Sequence, residues 1–123
     1  MLTLIITIFI LELSLLLTHE IDATFKKEWK MFIFFKNKTD EKAYNIFMLL
    51  HIPLFFIILS LFFSPYIYIG YYIVDIFLLL HMIIHFGFRK HPENKLNSRI
   101  SKLIINVAGL LAAVHLIFIA ILL

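Results

Sequence analysis

The sequence predicts an all-α protein, an integral membrane four-helix bundle, from its composition, its apolar runs and the placement of its charges. Of its 123 residues 63% are hydrophobic, and the mean hydropathy is +1.00, against roughly 45–50% apolar residues in soluble domains. A chain this short cannot hide so much apolar surface in a core of its own, because small domains bury the smallest share of their surface. Four continuous apolar stretches lie at about 1–22, 43–63, 67–88 and 101–123. Each is near the ~20 residues needed to cross ~30 Å of hydrocarbon. The runs do not alternate as barrel strands do, and a helix satisfies its own backbone hydrogen bonds in lipid. The lipid bilayer is therefore the expected solvent.

The first span opens directly on Leu2-Thr3-Leu4-Ile5-Ile6, with no basic residue before Lys26. A secretory signal needs a basic n-region and a small-residue cleavage site, so an uncleaved span is expected. Lys26, Lys27, Lys30, Lys36, Lys38 and Lys42 follow it, and Arg89, Lys90, Lys95, Arg99 and Lys102 lie between or beside spans three and four. All eleven basic residues thus fall on one side, and the positive-inside rule predicts an inner (plasma) membrane protein with both loops in the cytoplasm and both termini outside. The same clustering beside apolar spans argues against nucleic acid as the reason for the +3 net charge. Trp29, between Phe25 and Phe32, is expected to anchor the inner interface. The tyrosines near Ser64-Pro65-Tyr66 are expected to do so on the outer side.

Span two carries His51 and, two residues later, Pro53, which removes a backbone donor and can kink the helix. Span four carries Ala108, Gly109, Ala112 and Ala113, small residues that let another helix approach closely. Packing within the bundle is the expected use of that face, and a homodimer contact is the alternative.

Ionisable groups inside spans cost roughly 2.5–3.5 kcal/mol each on insertion scales, so each needs a reason. Counted from the basic end at ~1.5 Å per residue, Glu12, Asp75 and His115 reach similar depths of ~16–20 Å and are expected to face one another as a buried polar cluster. Nearer the basic end, His19 and Asp22 share a helical face at i, i+3, and His81 and His85 share one at i, i+4. With His51 at matching depth, His19, Asp22, His51, His81 and His85 form the expected divalent-metal site. Imidazole and carboxylate ligands suit zinc, iron or manganese, and with no cysteine in the chain a thiolate site is excluded. Glu20 is expected to be a solvated interfacial charge. Glu28, nine residues after His19, faces the opposite side of a continuous helix and joins the cluster only if the helix breaks there.

Thr18-His19-Glu20-Ile21-Asp22-Ala23 followed by Glu28-Trp29-Lys30-Met31-Phe32 resembles the signature T-H-x-x-D-A-x4-E-W-x-M-F. That signature belongs to a family of small bacterial membrane proteins known only as a domain of unknown function. The likeness extends through Leu50-His51-Ile52-Pro53-Leu54 and the His81–His85 region and implies no activity. A weaker similarity links the chain to a membrane family named for a His-x-x-Glu-Glu motif, from which Asp22 and Ala23 depart. Three functional classes follow: a metal-binding membrane protein, a proton or ion conductor, and a passive accessory or assembly subunit. Nucleotide loops, Ser-His-Asp arrangements and HExxH motifs are absent from the sequence.

Overall fold

A computed structural model describes residues 1–122; Leu123, the expected last residue of span four, lies outside the described residues. Four helices, α1 (Leu2–Phe25), α2 (Asp40–Phe62), α3 (Ile67–Gly87) and α4 (Arg99–Leu122), run in sequence, and among the described residues there is no strand. All four are long and apolar enough to cross a membrane. Large apolar side chains such as Ile21, Leu50, Phe56, Leu80, Leu110 and Ile117 remain exposed along their outer faces, as lipid-facing surfaces require. Short 3₁₀ turns, Glu28–Met31, Ile33–Phe35 and Phe88–Lys90, fill the connections at the basic end.

The helix starts have local causes. Thr39 accepts from the Lys42 amide at 3.4 Å, and Asp40 and Glu41 occupy the first turn of α2, where acidic groups complement the helix dipole. These residues move the start of α2 three positions ahead of the apolar run. Ser98 accepts from the Ser101 amide at 3.0 Å in the same way at the start of α4. The α2 helix continues through Pro53 as one element.

The core is a seam of three helices. From α1 the buried residues are Ile5, Phe9, Glu12, Leu16, His19 and Ala23, and from α4 they include Ser101, Ile105, Ala108, Ala112, His115 and Ile119. Both sets step by alternating fours and threes, the 3.5-residue repeat that keeps one face on its neighbours along a bundle. Tyr71, Val74, Asp75, Leu78 and His85 of α3 complete the seam. By contrast α2 sits outside it, burying Ala43, Phe47 and Ile58 and exposing most of its remaining length.

The small residues of α4 are used inside this seam. Ala108 and Ala112 are buried, and a Cβ placed on Gly109 would lie 2.8 Å from Met82 Cβ of α3. Trp29, expected as an exposed interfacial anchor, is instead buried within the protein, tilted against Tyr44 at 5.8 Å and Phe47 at 5.5 Å. It forms a satellite cluster with Ala23, Phe35 and Ala43. Phe25, Ile33 and Phe34 are the exposed apolar groups of that segment.

Gly109→Ala should therefore destabilise the bundle by about 1–3 kcal/mol, the cost of overpacking a close helix contact. Thermal unfolding in detergent checks it, with Gly87→Ala as control, since nothing lies within 4 Å of a Cβ there.

Candidate metal centre

His19 of α1 and His81 and His85 of α3 project into the seam near the basic end. The His81 Nε2 atom lies 2.7 Å from His19 Nε2 and 3.1 Å from His85 Nε2, so three ring nitrogens face one another. A carboxylate closes the group: Glu28 Oε2 is 3.4 Å from His19 Nε2, and Glu28 Oε1 is 3.4 Å from His85 Nε2. One donor atom from each of the four side chains lies within 4.8 Å of the others. The rings also brace one another, with His19 edge-on to His81 at 4.7 Å and to His85 at 4.9 Å.

Glu28 reaches the group because the helix breaks. Lys27 adopts the left-handed conformation, φ 54 and ψ 51, ending α1 and turning the next residue back under the helix. That conformation costs roughly 1–2 kcal/mol for a residue with a Cβ, and it delivers two side chains inward at once: Glu28 to the histidines and Trp29 to α2. Lys27 is itself tied down, with Nζ 2.8 Å from Asp40 Oδ2, while Lys30 Nζ lies 3.3 Å from Asp40 Oδ1. Burial pushes the Glu28 carboxyl up, but the facing imidazoles of His19 and His85, each 3.4 Å away, outweigh it and hold the group below the usual carboxylate range.

Two of the five expected ligands are placed elsewhere. His51 Nε2 pairs with Glu20 Oε2 at 2.6 Å, and its Nδ1 meets the Phe47 carbonyl at 2.7 Å, which fixes the ring between α1 and α2. Glu20 is accordingly half-buried and paired rather than solvated. Asp22 Oδ2 accepts from the Ser101 hydroxyl at 2.5 Å, linking α1 to α4. Glu28 takes the carboxylate position among the histidines. The sequence contains no Gly or Asn at position 27 to announce a left-handed turn, so the break that recruits Glu28 had no local signal beyond the Glu28-Trp29 pair itself.

Deeper in the seam Glu12, Asp75 and His115, one from each core helix, are fully buried and come within 4.8 Å of one another. His115 Nδ1 is 3.1 Å from both Asp75 oxygens and 3.4 Å from Glu12 Oε2. Beyond this layer, toward the termini, the seam turns aromatic and apolar: Phe9 packs on Tyr71 at 4.7 Å and Phe62 at 5.9 Å, with Ile5 and Ile119 in the same cluster.

Residues 5–122 match the sequence model of a family of unknown function (DUF6713), and the chain belongs to that family. No curated protein and no solved structure matches it.

A buried carboxylate held below its usual range contributes stability above the ordinary carboxylate pKa of about 4.3 and loses it as the pH falls through that range and below. Glu28→Gln should thus destabilise the metal-free protein by about 1–3 kcal/mol at neutral pH, with the gap between variant and wild type narrowing below about pH 4. Denaturation in detergent at pH 7 and pH 3 reads both.

Proposed function

We propose that this chain, as a member of a family without an assigned activity, is a metal-binding membrane protein. Its site takes one divalent transition-metal ion with His19, His81, His85 and Glu28. The observation that carries the reading is the meeting of three imidazoles and one carboxylate, each offering a donor atom within 4.8 Å of the others, in a largely buried site. Ligands at ~2.0–2.1 Å from a tetrahedral ion stand ~3.3 Å apart, and the four contacts here run from 2.7 to 3.4 Å. A neutral imidazole carries one N–H, so rings that carry it on Nδ1 turn their Nε2 lone pairs toward one another here, an arrangement that a cation stabilises.

Three imidazoles and one carboxylate suit zinc, iron or manganese. A metal so held supplies Lewis-acid chemistry or, if redox-active, electron transfer. The chain's own contribution is to fix the ligands on two rigid helices and one strained turn and to shield them from water. His81, the least buried of the four, marks the side on which the site meets its surroundings. The ion-conductor alternative would need the polar track to continue past Glu12, where the seam is lined instead by Ile5, Phe9 and Ile119 with Tyr71. On the positive-inside rule we place the basic end, and with it the metal site, at the cytoplasmic face of the inner membrane.

Purified protein should carry metal that elemental analysis detects. That metal should fall by one ion per chain in His81→Ala/His85→Ala, yet stay at the wild-type level in His51→Ala and Asp22→Asn, whose side chains pair elsewhere. Wild-type protein that shows no affinity for zinc, iron or manganese after stripping and reloading would sink the reading.

The orientation has its own check: reporters fused at the C-terminus should be active outside the cell, and reporters inserted after Lys36 or Lys95 active inside. The reverse pattern would move the metal site to the other face.

A further inference from the structure

The Glu12, Asp75 and His115 layer has no role in the site just described. Glu12 lies on α1 seven residues from His19, which sets the two groups ~10.5 Å apart along the bundle, far beyond the ~3.5–4 Å of a shared two-metal centre. The layer must account for itself.

Its geometry is poorly suited to a simple ion pair. His115 Nδ1 stands 3.1 Å from each oxygen of Asp75, bisecting the carboxylate, and 3.4 Å from Glu12 Oε2. One ring hydrogen cannot be directed at three oxygens. Both oxygens of Glu12 are buried with no hydrogen-bond partner, as are Asp75 Oδ2 and His115 Nε2, and all three residues are 0% exposed. No lysine or arginine is available to the layer, because α1, α3 and α4 carry none at this depth and α2 presents Phe62 to it through Phe9. Two ionised carboxylates facing one imidazole in lipid leave negative charge that a protonated histidine alone does not balance, so the layer takes up either a further proton or a cation. A divalent cation bound by both ionised carboxylates and a neutral imidazole leaves the layer neutral.

We propose that Glu12, Asp75 and His115 form a second divalent-cation site at mid-depth in the bundle. Two carboxylates and one imidazole make it harder than the three-histidine site, which favours manganese or iron(II) over zinc. Each core helix supplies one ligand, so binding clamps α1, α3 and α4 at one level. A cavity of about 10 Å³, lined by Leu16, His19, Leu78, His81, Ile105 and Ala108, lies between the two layers. It is at the lower limit for one water and marks the route from the basic end, since the aromatic contacts of Phe9 and Tyr71 close the other side. The proposal does not rest on the first site.

Metal-stripped protein in detergent, titrated with Mn²⁺ and freed of unbound metal by gel filtration, tests it by counting ions per chain. Wild type should hold two, Glu12→Gln one, His81→Ala/His85→Ala one, and the combination none. Asp75→Asn should reproduce Glu12→Gln and covers the case in which that variant does not fold. Stability gives a second readout: Glu12→Gln should melt higher than wild type when both are metal-free, and lose part of the Mn²⁺-dependent rise in melting temperature. An ion lost in Glu12→Gln but kept in His81→Ala/His85→Ala upholds this site even if the basic-end site fails. If Glu12→Gln and Asp75→Asn retain every ion that wild type binds, the layer holds protons only and the proposal is overturned.

Discussion

Inside a bilayer a polar side chain has no water to fall back on, so every ionisable group is driven toward polar groups on other segments of the chain. The rest of the structure follows from that constraint. The 3.5-residue seam of α1, α3 and α4 meets it, because a strict repeat brings the same face of each helix back to the centre at every turn. Glu12 and His19 occupy seam positions of α1, Asp75 and His85 of α3, Ser101 and His115 of α4. Each meets another polar group at its own level, giving the deep layer, the histidine layer and the Asp22–Ser101 bond in order toward the basic end. Polar placement and apolar packing are one pattern, since the same repeat that buries Leu16 and Ala112 buries the polar groups of the seam.

The strained backbone at Lys27 does for the loop what the seam does for the helices. A continuous α1 would carry Glu28 to the outer face and leave three histidines without a carboxylate. The left-handed turn reverses that, and the ion pairs of Lys27 and Lys30 with Asp40 fasten the turn to the start of α2. Such exposed pairs are worth little individually. Burial of Trp29 against Phe47 and Ala43 supplies the larger share of what offsets the strain. The helix that contributes least to the seam, α2, is therefore the one that holds the fourth side chain of the histidine layer in place, through contacts at its first two turns.

The two ends of the bundle differ in chemistry as a result. Toward the basic end the seam carries four residues that can ligate a metal, and beside it the His51–Glu20 pair, within reach of the loops. Toward the termini it is closed by stacked and edge-on aromatic rings. Both polar layers therefore lie between the basic end and this aromatic closure.

By itself the sequence determined the fold class, the four apolar helices, the segregation of all basic residues to one end and the shared depth of Glu12, Asp75 and His115. Each of these depends on local composition or on distance along a helix, which residue spacing measures directly. It also brought His81 and His85 together, because i, i+4 neighbours meet on any helix. Only the tertiary structure decided that His51 turns to Glu20 and Asp22 to Ser101. Depth along an axis says nothing about which neighbour a helix faces, and α2 stands outside the seam that a symmetric bundle would have given it. Only the tertiary structure, too, could recruit Glu28. Its position depends on one backbone angle at a lysine, a residue with no preference for that conformation, and on the burial of Trp29 that sustains it.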